Sequence, residues 1–277
     1  MTKILGIDDL ATKQHPIAQS VQRKSLSEST AEVRLALAHE LDEVFSLRYD
    51  VFLAGKELHS ETMLDVDEFD QYADHLIVRV GGRIVATYRV IPSERVLEAG
   101  LGLYASHEFD VTPLIERLDP KSMIELGRSC VHPAHRNGAI PKLLWSALAK
   151  YMMSRGKTEA VGCVSVFNCS HEEAQAMVGY FRETGAWTSM AQCSSKNFIP
   201  SQFNSPDSII DGNSESNRHF EHSHLKARVP PLLRSYLMLG AKIFGGPAYD
   251  PHFHCHDFLM HFSTKTMSER CRQSLFS

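Results

Sequence analysis

The chain has 277 residues, 43% hydrophobic and 22% charged, with a net charge of −4. That length allows one large domain, or one domain with appendages, around a core of useful size. The charge balance disfavours wholesale nucleic-acid binding, and no apolar run approaches the roughly 18–20 residues that span a bilayer. The N-terminus lacks the basic-then-apolar plan of a signal peptide. Six cysteines (130, 163, 169, 193, 255 and 271) without a C-x-x-C pair fit the reduced thiols of a cytoplasmic protein.

Residues 1–29 are polar, lack a period and read as a flexible arm. Ala31-Glu-Val-Arg-Leu-Ala-Leu-Ala alternates as a strand does. From Glu40 the period becomes helical, with Leu41, Val44, Phe45, Arg48 and Phe52 on one face. An acidic loop fills 54–70. Two β-rich runs from Asp74 to Ile91 flank Gly81-Gly82 and predict a hairpin. A strand at 122–132, a helix at 140–155, a strand at 160–166 buried on both faces and a helix at 171–182 follow. The Ser-, Asn- and His-rich stretch from 194 reads as a long excursion. Pro230-Pro231 opens a helix through about Ala241, preferred as core over a membrane-surface helix. Phe253–Phe262 is a last strand. Strands first, then β-turn-α-β-α, predict a mixed α/β sheet.

The densest chemistry lies in Glu125-Leu-Gly-Arg128 and the turn after it. Glu125 is a candidate general base, and Arg128 a group that orients substrate or base. Three residues apart, they point to opposite faces of a regular strand, unless a bulge permitted by Gly127 turns both into one cleft. A structural ion pair at a sheet edge is the competing reading. Beyond Val131, the backbone N–H groups of Asn137, Gly138, Ala139 and Ile140 could converge on a phosphate at a helix N-terminus, although an ordinary β–α turn has the same look.

Asp65, Asp67, Asp70 and Asp74 could take an ammonium-bearing substrate or a metal, yet their spacing is not that of a calcium loop, and such runs are usually solvated. Arg48 and Phe52 share a helix face; the alternative has Phe52 in the core with Arg48 snorkelling to water. His252, His254 and His256 would share one strand face, preferred as an exposed polar face over a metal site. Cys130 fits a buried strand position better than an acylated nucleophile. From 121 to 160 the balance is basic, with Lys121, Arg128, Arg136, Lys142, Lys150, Arg155 and Lys157 against Glu125 and Glu159, which would favour an acidic partner.

Taken together, Arg48-x-x-x-Phe52, Asp65-x-Asp67-x-Phe69-Asp70, Asp74-His75-Leu76, Ala86-Thr-Tyr-Arg89, Glu125-x-x-Arg128 and the turn resemble the acyl-carrier-protein-dependent branch of the GNAT acyltransferases. Glu125-Leu-Gly-Arg-Ser-Cys-Val-His-Pro with Leu144-Trp145 is similar to bacterial L-ornithine Nα-acyltransferases. So is the tail, Pro230-Pro-Leu-Leu-Arg-Ser-Tyr-Leu-Met-Leu-Gly-Ala with Asp250-Pro-x-Phe and Asp257-Phe258. The likeness runs from about 31 to 263.

The resemblance implies an α/β GNAT fold over 30–277: a mixed central β-sheet with a V-shaped splay, flanked by helices, with the excursion at 194–228. It implies that Glu125 and Arg128 are catalytic, that Arg48, Phe52, Asp65, Asp67 and Arg89 bind substrate, and that Val131, Arg136, Asn137, Gly138, Ala139 and Ile140 hold phosphopantetheine. Arg136-Asn-Gly138-Ala139 departs from the family's usual phosphate turn, which suits a carrier-protein arm better than the full coenzyme A pyrophosphate. No permanently bound cofactor is implied. The acyl-carrier-protein thioester is the co-substrate, and the carrier protein meets the basic stretch.

The implied reaction moves a long 3-hydroxylated acyl group to the α-amine of an amino acid, L-ornithine first among them, giving lyso-ornithine lipid. The setting is cytoplasmic, with peripheral membrane contact for an amphiphilic product. An N-acyl synthase for another amino acid and an acyl-homoserine-lactone synthase using S-adenosylmethionine are alternatives. A GNAT-like binding protein without turnover is the alternative of another class. Supplying the separate acceptors with acyl carrier protein discriminates among them.

Overall fold

A computed structural model of the chain describes residues 31–54, 61–136, 139–197, 222–269 and 273. The predicted arm, residues 137 and 138, and most of the predicted excursion lie outside them. Strand β1 (Ala31–Leu35) leads into helix α1 (Leu41–Phe52), and strands β2 (Asp74–Val80) and β3 (Arg83–Pro92) form the predicted hairpin. Gly81 and Gly82 both have positive φ (59° and 81°), which a tight hairpin turn requires and glycine adopts without a Cβ clash. Two short helices absent from the sequence reading, α2 (Ser93–Glu98) and α3 (Thr112–Ile115), precede strand β4 (Met123–Val131).

Helix α4 (Ile140–Ser154), strand β5 (Glu159–Phe167) and helix α5 (His171–Glu183) then follow as expected. Ser170 and Glu173 form a reciprocal capping box that fixes the start of α5. Helices α6 (His222–Arg228) and α7 (Pro231–Met238) and strands β6 (Lys242–Asp250) and β7 (Cys255–Ser263) complete the chain.

The seven strands form one sheet in the order β1-β2-β3-β4-β5-β7-β6. Every neighbouring pair is antiparallel except β4 and β5. Side chains alternate across this sheet with the two-residue strand period. Leu76 and Val78 pack with Leu144 and Leu148 of α4, whereas Ile77 packs with Val44, Phe45 and Leu47 of α1. The two helices therefore cover opposite faces. Ala160 and Val166 of β5 join one core cluster and Val161 the other, so β5 is buried on both faces as its apolar run predicts.

Several expectations need correction. Strand β6 escaped the sequence reading because Gly245-Gly246-Pro247 interrupts its pattern; the structure accommodates them as an irregularity between Phe244 and Ala248. Part of the 194–228 stretch is helical, as α6. The three-histidine strand face does not form. His252 and His254 lie in the turn between β6 and β7, with His254 at φ 52°, while His256 is buried on β7 and hydrogen-bonded to His171. Helix α7 buries Leu233 and Tyr236, in line with a core role. None of the described helices is long and apolar enough to cross a membrane.

Candidate active site

The parallel strands β4 and β5 pair only at Met123–Glu125 with Glu159–Val161. Beyond that point they separate, and the sheet stays joined only below the fork. At the crotch, a Cβ on Gly162 would fall 2.4 Å from the Leu126 carbonyl oxygen, so only glycine lets the strands approach there before diverging. A cavity of about 230 Å³ fills the fork, walled by residues 126–129 of β4 and 162–165 of β5. Phe52, Arg89, Glu125 and Arg128, four of the sequence candidates, line it.

Glu125 and Arg128 reach the same cavity through a bulge. On β3, Thr87 faces Cys130 and Arg89 faces Gly127, so Arg128 and Ser129 together oppose Tyr88. The left-handed backbone is taken by Arg128 itself, at φ 50°, and not by Gly127. A non-glycine residue held there costs on the order of 1 kcal/mol or more, and surrounding contacts must hold it. Those contacts come from an ion-pair lattice.

Arg48 of α1, Arg89 of β3 and Arg128 of β4 converge on Asp65, Asp67 and Asp70 in the loop before β2. Arg48 is fully buried and reaches Asp65 at 2.9 Å and Asp70 at 2.6 and 3.1 Å. Arg89 spends Nη1 on both oxygens of Asp67, at 2.6 and 2.7 Å, and on Asp70 at 3.3 Å. Arg128 donates to Asp65 at 3.1 Å, Asp67 at 3.4 Å and the Tyr104 hydroxyl at 3.2 Å. Asp65, Asp67 and Asp70 are therefore not a free carboxylate cluster, because their charges are spent on the arginines, while Glu61 and Glu68 of the same loop are exposed. Arg48 does not snorkel; its guanidinium closes inside the protein. Asp74 stands apart, accepting from Tyr151 of α4 at 2.7 Å and from Arg95.

Two further features define the cavity floor. Glu125 is 2% exposed and accepts the N–H groups of Tyr104 at 2.6 Å and Ala105 at 2.7 Å. Burial raises its carboxyl to about 7 against the pull of these two N–H groups and of Arg89, which places its titration near neutrality. Arg89 is 1% exposed, yet its Nε and Nη2 have no hydrogen-bond partner, and they lie 3.7 and 3.6 Å from where a Gly127 Cβ would be. Glycine at that wall leaves the guanidinium edge uncovered by a side chain.

The thiols here are protonated. Burial pushes Cys130 up to about 12, and burial with the Asp257 and Glu108 carboxylates raises Cys163, which lines the cavity, well above its ordinary value.

Val131, Arg136, Ala139 and Ile140 do not line the cavity; they lie past the bulge, where Arg136 Nε donates to the Val131 carbonyl at 3.1 Å and Ile140 begins α4. Asn137 and Gly138 lie outside the described residues. Sequence reasoning assigned no role to Tyr104, Glu108, Asp250, Asp257 or Phe253, all of which line the cavity. The tail motif contained Asp250, Phe253 and Asp257, but nothing local marked them as partners of residues near 104. The rings of Tyr104 and Phe253 sit 5.2 and 5.7 Å from the Arg128 guanidinium carbon, the range of cation–π contact.

Residues 47–146 match a family model described as an acetyltransferase (GNAT) domain. An L-ornithine N(alpha)-acyltransferase of Rhodobacter capsulatus is 32% identical over 257 residues, covering 87% of this chain and 93% of that protein. Its counterpart from Agrobacterium fabrum is 30% identical over 259 residues, covering 87% and 83%. Among solved structures, a CoA-dependent acyl-homoserine lactone synthase is 14% identical with a TM-score of 0.48, covering 89% of this chain and 87% of that one.

Proposed function

The chain belongs to the L-ornithine Nα-acyltransferase family, acyltransferases with a GNAT domain, and on that premise we propose that it transfers a long-chain, 3-hydroxylated acyl group from acyl carrier protein to the α-amine of L-ornithine, giving lyso-ornithine lipid. The cavity in the β4/β5 fork carries this reading, because it brings a carboxyl that titrates near neutrality and an unpaired buried guanidinium edge to one cleft.

In this reading the thioester arm lies between the separated strands. The guanidinium edge of Arg89 takes the acceptor carboxylate, a planar two-donor match. The α-ammonium gives a proton to Glu125, directly or through water, and the free amine attacks the thioester carbon. A C–N bond forms and the C–S bond breaks. The nitrogen loses a second proton as the amide forms, and the departing thiolate takes one up, so one proton is released overall. Protonated thiols at buried Cys130 and at Cys163 in the cavity wall support direct transfer without an acyl-enzyme. Arg48, Asp65 and Asp67 act as positioning residues for Arg89 and Arg128, and Phe52 supplies apolar wall.

A backbone N–H near Val131 would stabilise the tetrahedral oxyanion. The segment of Val131, Arg136, Asn137, Gly138, Ala139 and Ile140 would hold the phosphopantetheine phosphate. The acidic carrier protein would meet exposed Arg136 and Lys142, which flank the start of α4. Lys157 is not part of that surface, since it is buried against Glu94.

Lipid mass spectrometry of a heterologous host expressing the chain tests the reading. A new N-(3-hydroxyacyl)ornithine is expected, and purified protein should use the acyl-carrier-protein thioester in preference to acyl-coenzyme A. A host that accumulates an N-acyl product of another amino acid, or none, would refute the acceptor. Equal use of both thioesters would refute the donor.

A further inference from the structure

The cavity that holds Arg89 also holds a group of acids that the proposed chemistry does not use. Asp257 of β7 is 4% exposed, and Glu108 faces it from the segment after Tyr104–His107. Asp250, at the end of β6, adds its charge to both. The Glu108 Oε2 atom is buried and finds no donor. Glu108, Asp250, Tyr104, Arg128 and Phe253 also line a second, wider opening of about 440 Å³, so the acids sit where that opening meets the fork.

Two facing carboxyls in a dry pocket either share a proton or are neutralised by a cation. The three arginines are already matched by Asp65, Asp67 and Asp70, so Arg128, which also acts on Glu108 and Asp257, compensates these acids only in part. The unpaired Arg89 edge is an independent sign of a ligand: a guanidinium that is 1% exposed, with two nitrogens lacking partners, calls for an anionic group in the cavity. An anion-seeking group and a cation-seeking group in one cleft fit a molecule carrying both charges.

We propose that Glu108 and Asp257, with Asp250 at the rim, form a subsite for the side-chain ammonium of the acceptor and so select a diamino acid over neutral amino acids. This rests on the reading of the cavity as the site of amino-acid acylation. A divalent metal is the rival occupant, since Asp250, Cys255 and Asp257 offer ligand atoms within 4.8 Å of one another. It is the weaker reading. Burial and the Asp257 charge hold the Cys255 thiol protonated, and the cavity also presents the Arg89 edge, which no metal would satisfy.

The test compares L-ornithine with L-norvaline, which has the same carbon chain without the terminal amine, in the full chain. Wild type should favour ornithine by about 10³-fold or more in kcat/KM, as sites built around a polar substrate group do. Glu108→Gln and Asp257→Asn should each lower that ratio by about 10²-fold, the penalty expected when one member of a buried charge pair is removed. A ratio read within one variant does not depend on how much of it folds.

Calorimetric binding of ornithine to wild type and Asp257→Asn gives a readout independent of turnover. Weaker binding in the variant supports the subsite. Ratios within threefold of wild type in both variants, equal ornithine affinity in both proteins, or no ornithine binding by wild type would each overturn it, as would stoichiometric metal in the purified protein with activity lost to a chelator. If wild type binds ornithine through these acids but acylates nothing, the activity reading fails while the subsite stands.

Discussion

The Leu126 carbonyl oxygen occupies the space beside Gly162 at the crotch of the β4/β5 fork, leaving no room for a methyl group. A Cβ there would lie 2.4 Å from that oxygen, and the obstacle is backbone, which cannot rotate aside. Gly162→Ala should therefore force the strands apart where pairing must stop, destabilising the fold by about 1–3 kcal/mol. Because the fork is the cavity, kcat/KM should fall further than the folded fraction does. Denaturant unfolding alongside acyl-transfer kinetics checks both.

Glu125 couples stability and activity to pH with opposite signs. Its carboxyl titrates near 7 in the fold against an ordinary 4.5, so between those values the folded protein holds a proton that the unfolded chain has lost. Its contribution is fully present below about pH 4.5 and is lost as pH rises through 7, in all about 3 kcal/mol. Activity should climb over the same range if the ionised form is the base. Glu125→Gln should flatten the stability slope and lower kcat by about 10²–10³. A variant with wild-type rates at every pH would show that Glu125 only anchors the Tyr104 and Ala105 backbone.

Arg48 is structural in its contacts, since it touches aspartates and not the cavity. Arg48→Met should cost about 3–5 kcal/mol, because it leaves Asp65 and Asp70 buried without their main counter-charge. Burial of the Asp70 carboxylate is tolerated chiefly because Arg48 holds its pKa down. Replacing Arg48 and Asp70 together by residues of similar volume should recover part of the loss, and a double-mutant cycle on unfolding free energies measures the coupling.

Arg89 has one nitrogen committed to Asp67 and Asp70 and two without partners. Arg89→Lys keeps the charge and can keep the Asp67 contact, but it removes the planar edge. KM for the amino-acid acceptor should rise about 10–100-fold, with a smaller change in kcat and none in KM for the acyl donor. An unchanged acceptor KM would assign the acceptor carboxylate elsewhere.

The local period and turn chemistry of the sequence carry the hairpin around Gly81-Gly82, helix α1, the β4-turn-α4 unit and the double-sided burial of β5. In each of these the signal lies within a few residues. The same local reading picked out Glu125 and Arg128 and named the bulge as the condition under which they could share a cleft, whereas Arg89 came only from the family resemblance. It could not see that Arg128 itself would take the left-handed backbone, because the Asp65 and Asp67 carboxylates that hold it lie about 60 residues earlier.

Sequence order also hid the acids that share the cavity with Arg89. Glu108 lies far along the chain from Asp250 and Asp257, which share the β6/β7 hairpin, and only the pairing of β7 with β5 brings that hairpin to the fork. Chain-local patterns determine the long, regularly patterned elements and which face each buries, because helix and strand periods are short-range, whereas α2, α3 and the interrupted β6 lack such a pattern. The burial, charge pairing and proton affinity of these side chains were decided only by the tertiary structure, because each depends on neighbours that the chain supplies from a distance.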